Sequence, residues 1–163
     1  MRATLKSHLF TAFIAGTMLL LTFSACKKDD DPVVDNKKYV TVTLSGAQET
    51  PAIISSGTGS AKLTFDPTLK TLTYNMTWTL GSATATTVNM HIHGAEDGTD
   101  MKSSGVVPGL GITGFSTTNT GTISGTTRVL TDAEVNQLLA GKWYLNIHSS
   151  TVPSGELRGN IKF

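Results

Sequence analysis

The stretch GSAKLTFDPTLKTLTYNMTWTLG, Gly59 to Gly81, alternates apolar and polar residues on both sides of an Asp66-Pro67 break. Ala61, Leu63 and Phe65 fall on one face of its first half. Leu72, Tyr74, Met76, Trp78 and Leu80 recur at every second position of its second half. Successive side chains of a strand point to opposite faces, so a period of two marks a strand with one buried side. Asp-Pro opens a turn, because proline fixes its own φ and aspartate bonds to the backbone ahead of it. The stretch therefore predicts a β-hairpin. Five large residues on one face need a second apolar surface to cover them, and another sheet supplies it.

The flanking sequence repeats the theme. In YVTVTLSG (39–46), Val40, Val42 and Leu44 share a face. TTVNMHIHG (86–94), GITGFST (111–117), TGTISGTTRVL (120–130), KWYLNIHSS (142–150) and GELRGNIKF (155–163) read as further short strands, rich in β-branched residues and bounded by Gly, Ser and Asn. GVVPGLG (105–111) reads as an exposed turn. Many short strands with frequent turn signals predict an all-β fold, an antiparallel β-sandwich or barrel. One segment departs from period two. In TDAEVNQLLAG (131–141), Thr131 and Glu134 form a capping box, Val135, Leu138 and Leu139 an apolar stripe, and Gly141 a C-terminal stop. It predicts one short helix near 132–140, with its stripe over one end of the sandwich.

The 163 residues fit a single domain behind a targeting segment. Arg2 and Lys6 precede a charge-free run from Leu9 to Ala25 that ends in small residues and then Cys26, the pattern of a cleaved secretory signal. Cys26 is the only cysteine, so it closes no disulfide within the chain. TFSAC (22–26) resembles a bacterial lipobox, which implies lipidation of Cys26 and stable anchoring by two or three acyl chains. The following KKDDD (27–31) is similar to the export signals of Bacteroidetes-type surface lipoproteins. The expected organisation is a lipoprotein signal peptide over 1–25, a lipid-anchored flexible stalk over 26–38 and a domain over 39–163. The expected location is the outer membrane, facing the cell exterior. Without Arg2 and Lys6, 11 of the 13 basic residues remain against 12 acidic ones. That balance offers no basic patch for nucleic acid. The expected partners are the membrane, through the anchor, and an extracellular protein or matrix component.

Chemistry-bearing residues concentrate in two places. NMHIHGAEDGTD (89–100) sets His91 and His93 on one face of a strand, and YLNIHS (144–149) sets Tyr144, Asn146 and His148 on one face of another. Residues i and i+2 of a strand lie about 6.6 Å apart, close enough for two imidazoles to tilt onto one ion. If the two strands meet, His91, His93 and His148 form a three-histidine set with an open fourth position, suited to zinc or copper. The alternative is a closed hydrogen-bond network of these rings with Glu49, Asn146, Glu156 and Arg158, in which Arg158 forks onto Glu156 or Glu49 and no ligand is needed. Both readings stay open at this point. Glu96, Asp97 and Asp100 lack the acid alternation of a calcium loop and read as solvated. Among the methionines only Met101 is placed to act as a soft ligand. No Gly-x-Ser-x-Gly elbow is present, and the chain is expected not to be an enzyme.

Four segments together resemble the CHRD (chordin-type) domain: LSGAQETPA (44–52), GTGSAKLTFD (57–66), MHIHGAEDG (90–98) and LLAGKWYLNIHSSTVPSGELRGNIKF (138–163). The resemblance spans about 40–163. The stretch DGTDMKSSGVV stands where the family has Asn-Gly-Pro after its histidines, so the loop beyond His93 departs from the pattern. The resemblance implies an all-β fold, a Greek-key-like antiparallel β-sandwich. The expected function is a non-enzymatic binding or structural module of the cell envelope, with a zinc- or copper-binding envelope protein as the alternative. The His-x-His strand is also loosely similar to the first ligand strand of copper/zinc superoxide dismutases.

Overall fold

A computed structural model describes residues 35–94 and 103–163. Cys26, the signal segment, most of the stalk, and Glu96, Asp97, Asp100 and Met101 lie outside the described residues. The elements are β1 (Lys38–Ser45), a 3-10 turn (Gly46–Gln48), β2 (Thr58–Asp66), β3 (Thr71–Thr79), β4 (Thr87–Gly94), β5 (Val106–Gly111), β6 (Thr120–Thr126), α1 (Asp132–Leu139), β7 (Trp143–Ser149) and β8 (Leu157–Ile161). The eight strands form one antiparallel sheet in the order β5-β4-β7-β8-β1-β2-β3-β6. This is the all-β fold expected, as a single curled sheet.

The hairpin of 59–81 is present as β2 and β3, registered Ala61 to Met76 and Phe65 to Leu72. Asp66 makes the turn by accepting the amides of Thr68 and Leu69, each at 2.9 Å. The apolar faces of β1, β2 and β3 and those of β4, β7 and β8 contribute to one contiguous core. A flat sheet could not bring them together, so the curl follows from the two apolar faces covering each other. Trp78 links the halves: its indole N–H donates to Thr87 Oγ1 at 2.8 Å, and that hydroxyl donates to the Thr118 carbonyl. Trp78 and Tyr74 lie over Gly121 and Gly125 of β6, where an added Cβ would come within 2.4 and 2.5 Å of them.

Three expectations change. GVVPGLG is strand β5, not a turn, and most of GITGFST lies outside any strand, with only Gly111 in β5. Pro108 is tolerated because β5 is an edge strand, where a missing N–H need not break a ladder. Arg128 then binds that edge, donating to the Pro108 carbonyl while forking onto Glu134 at 2.6 and 2.8 Å. The helix has the predicted capping box, with the Thr131 hydroxyl accepting from the Glu134 amide. Its buried stripe is narrower than expected: Leu138 is fully buried and Val135 packs partly, but Leu139 is exposed.

Candidate functional site

The faces of β4, β7 and β8 that point away from the core carry the polar ladder. Across β4 and β7, Asn89 pairs with His148, His91 with Asn146, and His93 with Tyr144. Across β7 and β8, Asn146 pairs with Arg158 and Tyr144 with Asn160. Met90 and Ile92, the alternate residues of β4, are fully buried in the core, as the period of two requires. His91 and His148 are therefore diagonal neighbours on one face, within reach of each other's rings.

The three imidazoles converge. One ring nitrogen from each of His91, His93 and His148 lies within 4.8 Å of one from each of the others. His91 Nδ1 is 3.3 Å from His148 Nε2. The His91 ring stands edge-on to both others, with centroids 5.4 Å from His93 and 5.1 Å from His148. The outer nitrogens are assigned by their partners. A carbonyl oxygen only accepts, so His93 Nδ1 donates to the Ser104 carbonyl at 2.7 Å and His148 Nδ1 to the Pro153 carbonyl at 2.8 Å. In each neutral ring the lone pair then sits on Nε2. His93 Nε2 is buried and meets no hydrogen-bonding partner among the described residues. Burial lowers the pKa of both His91 and His93; the neighbouring His148 adds to this, and at His93 the Ser104 carbonyl opposes it in part. Both rings are thus neutral at physiological pH, the form that ligates metals.

His93 has a second support. Tyr144 stacks flat on it, with centroids 4.7 Å apart and planes 3° apart. The Arg158 guanidinium lies over the tyrosine ring, 3.6 Å from its centroid. The Tyr144 hydroxyl accepts from the Ser104 amide at 2.9 Å and donates to the Ser104 carbonyl at 3.0 Å. Sequence reading placed Tyr144 on the right face but assigned neither it nor Ser104 a role. The alternation Tyr144, Asn146, His148 was a signal for the first; one of two adjacent serines, Ser103 and Ser104, gave none for the second.

The expected network of Glu49, Asn146, Glu156 and Arg158 divides into two clusters. In the first, Asn146 Nδ2 donates to Glu49 Oε1 at 2.5 Å, Arg158 Nε donates to Asn160 Oδ1 at 2.9 Å, and Arg158 Nη1 reaches Thr50 Oγ1 at 3.4 Å. Asn160 also donates to Gln48 Oε1. Residues 48–50 are in this way fastened over the β7–β8 ladder. In the second, Glu156 Oε1 accepts from Ser55 Oγ at 2.7 Å and from the Gly81 amide at 2.6 Å, joining the loop before β2 to the end of the β2–β3 hairpin. Burial alone would raise the Glu156 carboxyl, but its donors more than offset that and hold it below the ordinary value. Its neighbour in sequence, Leu157, begins β8, so Glu156 lies just outside the strand.

Burial pushes the Glu49 carboxyl up to about 7, against the opposing effects of the Arg158 charge and the Asn146 bond. The native state therefore holds this proton more tightly than the unfolded chain, whose value is 4.5. Stability from this group is complete below the unfolded value and falls as pH rises from about 4.5 to 7. His91 and His93 act in the opposite sense, because their depressed values cost stability as pH falls below 6.5. The Glu49→Gln variant separates the two. Between pH 5 and 8 its stability is expected to gain about 1–2 kcal/mol relative to wild type, after discounting for solvent screening of a part-exposed group. Urea titrations across that range read the difference; parallel pH profiles for the two proteins would remove Glu49 as the source.

The geometry defines an all-β domain whose functional candidate is a histidine-bearing polar face roofed by loops. The CHRD domain family matches residues 40–161, and the chain belongs to it. No curated protein and no solved structure matches the chain.

Proposed function

We propose that this chain is a non-enzymatic CHRD module of the cell envelope, anchored in the outer membrane through lipidated Cys26 and facing the exterior. It presents loops at one end of the sheet, including 149–155, to an extracellular protein or matrix component. The observation that carries this reading is where the fold starts. β1 begins at Lys38, just past the polar run 27–37 that follows Cys26, and the family match begins at residue 40. A self-contained domain behind a short polar spacer and a lipobox-like cysteine is what a tethered module requires. Attachment in this reading rests on the acyl chains; among the described residues no helix is long and apolar enough to cross a membrane. Cys26→Ser is expected to shift the protein from the membrane fraction to the soluble one, and protease applied to intact cells is expected to remove the wild-type domain. A Cys26→Ser protein that still sediments with membranes would overturn the anchor.

A second reading is favoured by the bare, buried lone pair of His93 Nε2 beside the other two rings. It makes this module a zinc- or copper-binding envelope protein that uses His91, His93 and His148. Metal content after dialysis, compared with a triple His→Ala variant, tests it.

A further inference from the structure

We propose that an ion held by His91, His93 and His148 acts as a clasp, fixing residues 103–105 and 150–155 to the sheet so that the loop rim adopts one binding-competent arrangement. This rests on the second reading above and adds what the ion would do.

Two of the three rings bond through their outer nitrogen to a backbone carbonyl. Metal-ligating imidazoles are oriented by the partner of their other nitrogen. Here that partner is a backbone carbonyl in each of two different loops: Ser104 for His93 and Pro153 for His148. Among the described residues His91 makes no such bond, and it sits between the two rings that do. A single ion joining the three rings would thereby join the two loops. Further bonds of the described loop residues carry this constraint. Ser104 is held through both its amide and its carbonyl by the Tyr144 hydroxyl. In the other loop the Val152 amide donates to Ser149 Oγ and the Gly155 amide to the Val152 carbonyl.

The donor spacing fits tetrahedral zinc, and less closely copper(II), which favours tetragonal geometry. With metal–nitrogen bonds of 2.0–2.1 Å, two tetrahedral ligands stand about 3.3 Å apart, and His91 Nδ1 and His148 Nε2 are separated by 3.3 Å. A nitrogen of His93 lies within 4.8 Å of one from each of the other two rings and would close on them as the ion binds. Without an ion, the hydrogen on His91 Nδ1 occupies the line to the His148 lone pair. With the ion in its place, that hydrogen moves to His91 Nε2, and the ring stays neutral with no net proton change. All three donors are then neutral nitrogens, and the fourth position remains for water or a donor from the partner.

The test uses the full chain, purified in detergent and stripped with chelator, with one equivalent of zinc or copper(II) returned. Backbone hydrogen exchange is followed at residues 103–107 and 150–156. The expected result is one ion retained per chain, exchange slowed at least tenfold in both segments and unchanged in β2 and β3. The midpoint of thermal unfolding is expected to rise by about 5–10 °C at a hundredfold excess over Kd. His91→Ala removes a ligand while leaving both carbonyl bonds in place, so its exchange should match that of the stripped wild type whether or not metal is added. Failure of either ion to bind would remove the second reading itself. Binding without slowed exchange in both loops would leave the metal site standing and sink the clasp. The comparison of wild type with and without metal needs no variant to fold.

Discussion

Arg158→Ala is expected to destabilise the domain by about 3–5 kcal/mol, the range for removing one member of a buried charged cluster. Arg158 is 1% exposed, an unusual place for a guanidinium. Its charge is accommodated by the Tyr144 face, by Asn160 and Thr50, and by the Coulombic field of Glu49. Alanine would leave Asn160 Oδ1 without that donor, uncover the Tyr144 ring and raise the Glu49 carboxyl further, because the cation that opposes its burial would be gone. The loss would also loosen residues 48–50, which reach the sheet through Asn160 and Asn146 as well as through Arg158. Arg158→Met keeps the volume of the stem and should cost less. Adding Glu49→Gln to either variant should recover part of the loss, because the uncompensated carboxylate is removed with its partner. Urea denaturation of the two single variants and the double variant measures all three quantities. A loss below about 1 kcal/mol for Arg158→Ala would mean that the guanidinium is held no better in the folded chain than in water.

The parts of this fold that were legible in the sequence are those set by local rules. Alternation over 59–81 gave the hairpin and its buried face, and Thr131 with Glu134 gave the helix start, because period and capping are properties of a few adjacent residues. The shared face of Tyr144, Asn146 and His148 followed from the same period of two. What decided β5 was not local. Val106–Gly111 contains Pro and two glycines and reads as a turn; it becomes a strand because the edge of β4 offers it His91 and His93 as pairing positions. The meeting of His148 with His91 depended on β4 lying beside β7, which spacing could suggest but not fix. Glu156 and Arg158 show the converse error. A shared face predicted a shared cluster, yet the strand starts only at Leu157, and one residue outside the ladder was enough to send the carboxylate to Ser55 and Gly81.

Gly155→Ala is the substitution expected to damage the site most directly, at about 3–5 kcal/mol from backbone strain and overpacking together. Gly155 has φ of +126°, a region that side-chain-bearing residues rarely enter. A Cβ there would stand 2.7 Å from Asn146 Nδ2 and 2.9 Å from Glu49 Oε1, the two atoms of the hydrogen bond that fastens the 48–50 segment. Neither can yield cheaply: Asn146 is buried between the β4 and β8 ladders, and moving Glu49 breaks that bond. Relaxation of the backbone is the remaining route. It would shift the turn in which the Gly155 amide bonds to the Val152 carbonyl, and with it the Pro153 carbonyl that orients His148. The variant should therefore lose stability and also show a displaced or mobile His148 ring, read by its imidazole NMR resonances at a temperature where the protein remains folded. Gly141→Ala provides the contrast: it too has a positive φ, +70°, but its nearest contact beyond its neighbours is a lysine methylene at 3.5 Å. It should cost only the strain of that backbone conformation, about 1 kcal/mol, and leave the His148 resonances unmoved. Equal losses for the two glycines would show that Gly155 is held by backbone conformation alone, and that the packing of Asn146 against Glu49 leaves more room than the structure gives it.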